Sequence, residues 1–140
     1  MPIQAAGARG VKGRIEILPE YEEGLLDLDG FSHIFLLYQF HLNNSFDLQV
    51  VPFLDTKTHG VFATRAPKRP NSIGLSLVKL TSIKKNMLFV EDVDMVNKTP
   101  IIDIKPYIPD FDEMENVKTG WYRKELADLK KTRSDDRFGK

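Results

Sequence analysis

The sequence predicts a mainly β fold, an antiparallel barrel or sandwich of short strands followed by one C-terminal helix. Three observations carry this. Apolar or alternating stretches recur between Val11 and Lys105, each cut by Gly, Pro or Asn. The first of them sets Val11, Gly13, Ile15 and Ile17 against Lys12, Arg14 and Glu16, the period of a half-buried strand. Convincing helical periodicity occurs only from Trp121 to Lys131, where Tyr122, Leu126 and Leu129 fall on one face.

In chain order, Met1 to Arg9 is small and irregular. Val11 to Leu18 is the first strand and Pro19 ends it. Glu20 to Gly24 has the make-up of one helical turn. Phe31 to Leu42 is a nearly continuous apolar run after Gly30, compatible with a strand buried on both faces. Phe46 to Phe53 alternates and stops at Pro52. Gly60 to Thr64 reads as a short buried strand. Leu75 to Ile83 and Met87 to Met95 form a hairpin around Lys84-Lys85-Asn86. Ile101 to Lys105 is the last strand, closed by Pro106 and Pro109. Residues 1–112 are expected to form the β domain, and residues 113–140 a helix with a charged tail.

Composition narrows the function. A chain of 140 residues is the size of one domain. Its 20 Lys and Arg equal its 20 Asp and Glu, so any affinity for nucleic acid must come from local clustering of cations. The absence of cysteine excludes disulfides, a thiol nucleophile and thiolate metal sites, and fits a reducing compartment. The charge-free segment from Phe31 to Phe46 is too short and too polar to span a bilayer, and the N-terminus has no signal pattern. These features predict a soluble, cytoplasmic protein. No metal is expected, because His33, His41 and His59 lack ligand spacing. No G-x-G-x-x-G opens a dinucleotide fold, and Ser72 and Ser76 are not in a nucleophile elbow.

The segment from His59 to Leu80 holds the densest chemistry. Pro67 and Pro70 stiffen a loop that carries Arg65, Lys68 and Arg69. On residues alone this is either an anion-binding loop or a solvated basic turn. Farther on, Asp103 and Lys105 stand two apart on a strand and so project from one face. Spacing alone favours a structural ion pair there over an active-site pair.

The stretch GVFATRAPKRPNSIGLS at 60–76 resembles the signature G-V-F-A-T-R-(S/A)-P-x-R-P-N-P-I-G-L-S of the TsaA-like, or TrmO, family. GFSHI at 30–34, FH at 40–41, VDMVNKTP at 93–100 and DIKPYIP at 103–109 match the same family in order. The resemblance implies an S-adenosylmethionine-dependent tRNA methyltransferase on an antiparallel β-barrel of about six or seven short strands, working as a homodimer. The implied substrate is N6-threonylcarbamoyladenosine next to the anticodon. The alternative is a non-catalytic barrel that binds S-adenosylmethionine or RNA. Residues matching the family's cofactor contacts are Gln4, His41, Leu42, Arg65, Leu75, Asp92, Val93, Asp94 and Met95, with Leu75 and Met95 set to sandwich the adenine. The motif D-I-K-P-Y implies catalytic roles for Asp103, Lys105 and Tyr107. Lys68, Arg69 and Asn71 are the implied substrate contacts, with Arg14 and Arg123 weaker candidates.

The sequence departs from the family pattern at three places. Ser72 stands where Pro is usual, Asn97-Lys98 where Asp-Gly is usual, and Ile3 where some members have Arg. Family members also carry one more strand before a Pro-x-Gln segment, here Pro2-Ile3-Gln4, so that strand is expected to be missing.

Overall fold

The computed structural model describes residues 10–40 and 45–123. These divide into two compact units, one of residues 10–40 with 73–112 and one of residues 45–72 with 113–123. The expected helix from Trp121 to Lys131 lies mostly outside the described residues, and Trp121 itself sits in a turn.

The first unit is built on β1 (Lys12–Glu16), β2 (His33–Gln39), β5 (Ile73–Lys84), β6 (Met87–Glu91) and β7 (Ile101–Pro106). They form one antiparallel sheet in the order β1-β6-β5-β2-β7. This sheet holds five of the seven strands found among the described residues, where about six or seven were expected in one barrel. The outer strands β1 and β7 are not paired with each other, so no closed barrel is found among the described residues.

Each strand follows from its pattern. The β2 strand, expected to be buried on both faces, is buried on one: Ile34, Leu36 and Tyr38 are enclosed, while Phe35 and Leu37 face the other way, only half covered. β5 repeats this with Gly74, Ser76, Val78 and Leu80 inward. Ile15, Leu88 and Val90 complete the core, with Val93, Met95, Ile101 and Ile104 packed against it. Ile34, Leu36, Val78 and Leu88 are fully buried. Each such side chain contributes on the order of 1.5–3 kcal/mol by leaving water. The β5–β6 hairpin closes through Lys85 and Asn86, with Lys85 in the left-handed region at φ 54°. A bulge at Thr81 lets its hydroxyl donate to the Phe89 carbonyl, 2.9 Å away. Beyond β7, a single helical turn, α1 (Pro109–Asp112), ends the unit.

Gly74 is fixed by its neighbour. Its partner across the strands is Tyr38, and a Cβ at Gly74 would overlap the Tyr38 ring.

The second unit holds only a two-stranded sheet, β3 (Gln49–Val50) with β4 (His59–Gly60). Two sequence expectations fail here. The strand expected over Phe46 to Phe53 shrinks to Gln49 and Val50, because Phe46, Leu48 and Val51 are exposed and bury nothing in common. The strand expected over Gly60 to Thr64 is instead a 3₁₀ turn at Val61–Ala63. Val61 and Thr64, three apart, are its buried residues, while Phe62 and Ala63 are exposed. The expected turn at Glu20 to Gly24 is present as a 3₁₀ helix at Pro19–Leu25.

Candidate functional site

In the first unit, strand register gathers residues that are far apart in sequence. Leu37 on β2 pairs with Leu75 of β5 on one side and with Asp103 of β7 on the other. Phe35 likewise pairs with Leu77 and with Lys105. Directly paired residues share a sheet face, so Leu75, Leu77, Phe35, Leu37, Asp103 and Lys105 lie together on the face opposite the core. Just past β7, the Tyr107 N–H donates to the His33 carbonyl, and its ring stands edge-on to Phe35 at 5.7 Å. The result is a half-exposed apolar surface that carries one ion pair.

Asp103 and Lys105 pair across 3.0 Å, with 48% and 63% of their side chains exposed. The ion pair that spacing favoured is therefore present, at the sheet surface on the outer strand β7. The Lys105 ammonium, helped by the Ile104 N–H, holds the Asp103 carboxyl below the usual carboxylate range. An acid so stabilised in its charged form is a weak proton acceptor. It suits polarising and positioning better than base catalysis.

A second feature lies on the core side. The Tyr38 hydroxyl is 3.0 Å from Ser76 Oγ, and Ser76 Oγ donates to Asp94 Oδ1 at 2.6 Å. Ser76 has one O–H to donate and directs it to the Asp94 carboxylate, so Tyr38 is the donor of the first bond. Tyr38 is 6% exposed and Ser76 3%. Burial pushes the Tyr38 pKa up, the Ser76 bond lowers it, and the Asp94 charge raises it again. This chain anchors the segment 92–95 from beneath. Two further bonds hold the same segment, Gly10 N–H to Asp92 Oδ1 at 2.6 Å and Val93 N–H to the Val11 carbonyl at 3.2 Å. Asp92 takes a left-handed φ of 68° to do so. Both carboxylates of the expected cofactor loop are thus engaged by the protein, which leaves its backbone as the reading surface. Met95 packs against the core while Leu75 stands on the opposite face, so these two are not brought together as a sandwich.

In the second unit, the Pro67–Pro70 loop is braced from within. Arg69 Nη1 donates to the carbonyls of Thr64 at 2.8 Å and Ala66 at 3.1 Å. Ser72 Oγ donates to the Arg69 carbonyl at 3.1 Å. Arg69, expected to grip substrate, is therefore also the internal clamp of its loop. Arg65, Lys68 and Asn71 are exposed. The sequence reading missed a further pair, His59 with Asp55 at 2.6 Å. The i,i+4 spacing of Asp and His was the available signal. His59 also stacks on Trp121 at 5.0 Å, and Trp121 Nε1 donates to the Ala63 carbonyl at 2.7 Å. Gln4, His41 and Leu42 lie outside the described residues.

Among the described residues no group of three or more His, Asp or Glu is placed to hold a metal ion. No helix among them is long and apolar enough to cross a membrane. An open depression of about 310 Å³ beside Lys12, Thr81, Lys84 and Phe89 contains none of the expected site residues.

The family described as tRNA-methyltransferase O N-terminal domain matches residues 1–113. The chain belongs to the TrmO family. It is 50% identical over 138 residues to a probable S-adenosyl-L-methionine-binding protein of Pyrococcus abyssi, covering 99% of this chain and 75% of that one. It is 39% identical over 107 residues to the tRNA (adenine(37)-N6)-methyltransferase of Homo sapiens, covering 74% of this chain and 24% of that one. The crystal structure of TrmO from Pseudomonas aeruginosa superposes with a TM-score of 0.71 at 35% identity, over 87% of this chain and 54% of that one. The chain thus spans about half the length of that TrmO and about a quarter of the human enzyme.

Lys98, which stands where the resemblance implies Gly, has φ 65°, in a turn closed by the Thr99 N–H on the Val96 carbonyl. Glycine is at home in that conformation, and a lysine adopts it at a steric cost.

Proposed function

We propose that this chain transfers a methyl group from S-adenosylmethionine to tRNA, at N6 of threonylcarbamoyladenosine next to the anticodon. The observation that carries the reading is the shared sheet face. Family-motif residues Leu75, Asp103 and Lys105 meet there around Leu37 and Phe35. The residues present suit the methyl donor. The apolar, half-exposed surface of Leu75, Leu77, Leu37 and Phe35 offers contact for a flat ring. The Asp92–Met95 segment, pinned at three points, offers preordered backbone groups. Gln4, His41, Leu42 and Arg65 are further cofactor contacts proposed from the resemblance. S-adenosylmethionine supplies an activated methyl on a sulfonium.

The remaining task of the protein is alignment. N6 of the carbamoylated base is more acidic than the amine of plain adenosine, so a weak acceptor or a polarising group is enough to release its proton. Asp103 or His41 would take that proton as N6 gains the methyl, with Lys105 and Tyr107 fixing geometry. Lys68, Arg69 and Asn71 are the proposed contacts to the substrate, with the exposed Lys68 the stronger candidate for its threonine carboxylate. We also propose that the protein works in the cytoplasm as a homodimer, whose partner would cover an open sheet edge at β1 or β7.

The experiment incubates the chain and S-adenosylmethionine with tRNA from cells able and unable to install the threonylcarbamoyl group. Methylation confined to the modified tRNA is expected, and equal methylation of both would remove the substrate assignment. The second reading is a non-catalytic protein that binds S-adenosylmethionine or RNA, with which the name of the Pyrococcus abyssi relative, a probable S-adenosyl-L-methionine-binding protein, is compatible. Cofactor binding without methylation of either tRNA would select it.

A further inference from the structure

We propose that Phe62 is a stacking platform for an unpaired base of the RNA, on a loop whose exposed Lys68 meets an anionic group of the same strand. The inference rests on the tRNA reading and names the surface that would receive the strand.

Phe62 is 76% exposed, yet it is rigidly held. Its 3₁₀ turn is closed by Thr64, whose N–H and hydroxyl both donate to the Val61 carbonyl, at 3.0 and 2.8 Å. Val61 and Thr64 are buried on either side of it, so the ring is held out by a fixed frame. The Arg69 guanidinium lies 6.0 Å from the ring centroid and is itself locked by the Thr64 and Ala66 carbonyls. A clamped cation therefore sits against the ring, most of which is still open to solvent. An exposed aromatic ring beside fixed arginine is the arrangement by which proteins take up single-stranded bases.

Charge selects the partner. From Thr56 to Val90 the sequence contains no Asp or Glu. Within this unit the same stretch carries Lys57, Arg65, Lys68 and Arg69. The loop is stiffened by Pro67 and Pro70 and by the Arg69 N–H on the Pro67 carbonyl at 2.9 Å, so little order remains to be imposed on binding. A polyanion with flat bases fits such a surface. The exposed apolar residues Phe46 and Leu48 of the same unit are what a protein partner would use, and the test separates the two.

The test measures binding of the full chain to a labelled anticodon stem-loop RNA by fluorescence anisotropy across a range of salt. Phe62→Leu keeps apolar bulk without a π face, and Phe62→Trp keeps the π face. Loss of one stacked base weakens binding about tenfold. Phe62→Leu is therefore expected to lose about that factor with an unchanged salt slope, while Phe62→Trp stays near wild type. Lys68→Ala is expected to lower the slope of log affinity against log salt by about 0.7. Wild-type affinity in Phe62→Leu would overturn the platform and leave the tRNA reading standing. A change in sedimentation with unchanged RNA affinity would assign Phe62 to a protein interface instead. No RNA binding by the wild type would overturn both.

Discussion

Replacing Ser76 by Ala removes the middle of the Tyr38–Ser76–Asp94 chain and should cost more than an ordinary buried serine. The Tyr38 hydroxyl, almost fully enclosed, loses its acceptor, and Asp94 loses a donor at 2.6 Å. A buried hydroxyl left without a partner costs about 1–3 kcal/mol, and a hydrogen bond to a carboxylate contributes about 1.5–3 kcal/mol. Asp94 is partly exposed, so water replaces some of what Ser76 supplied. The expected total is about 2–3 kcal/mol, a fall in Tm on the order of 10 °C. Tyr38→Phe removes only the outer bond and should cost about 1 kcal/mol. The decisive comparison is the double variant. Once Ser76 is gone the Tyr38 hydroxyl is a liability, so Tyr38→Phe/Ser76→Ala should be no less stable than Ser76→Ala alone. Urea denaturation of the four proteins measures this cycle. Additive losses, or Ser76→Ala within about 0.5 kcal/mol of wild type, would show that no such chain operates.

Other consequences follow from single contacts. Gly74→Ala drives a methyl into the Tyr38 ring and should destabilise by about 1–3 kcal/mol or more, read from the urea midpoint. Lys98→Gly relieves a left-handed lysine and should stabilise by up to about 1 kcal/mol, with an unchanged urea m-value. Asp55 and Asp103 both have carboxyl pKa values below the usual 3.8, Asp55 chiefly through its bond from His59 and Asp103 chiefly through Lys105. Their stabilising effect is therefore complete above pH ~4 and is lost as pH falls through the lowered folded values. Asp55→Asn and Asp103→Asn should each flatten that acid limb, and an unchanged acid limb in both variants would contradict the assignment. Trp121 is the single tryptophan, so its emission reports its own contacts. Asp55→Asn should shift it by freeing the stacked His59, whereas Asp103→Asn should leave it alone.

Much of the sheet could be read from the sequence because its strands bury apolar side chains on one face each. Val11 to Leu18, Phe31 to Leu42 and Met87 to Met95 contain β1, β2 and β6, while Leu75 to Ile83 and Ile101 to Lys105 fall within the longer β5 and β7. Gly60 to Thr64 misled because its apolar residues look like a continuous strand. The fold buries Val61 and Thr64 alone, and a spacing of three is met by a 3₁₀ turn. Phe46 to Phe53 misled for the opposite reason, since its alternating apolar residues stay in solvent. The Asp103–Lys105 pair was legible from spacing, but its exposure was not, because nothing local says that β7 is an outer strand. The partners Tyr38, Ser76 and Asp94 lie on separate segments, and only register brings them together. The available hint was Ser76 itself, a polar residue at an inward position between Gly74 and Val78.

The central claim is methyl transfer, and one measurement addresses it directly. The chain is incubated with S-adenosylmethionine and tRNA bearing threonylcarbamoyladenosine, and the nucleosides are then digested and weighed by mass spectrometry. The account predicts a threonylcarbamoyladenosine heavier by one methyl group, lost in Lys105→Ala and weakened in Arg65→Ala. No mass gain on any nucleoside, from a protein that calorimetry shows to bind S-adenosylmethionine, would contradict it.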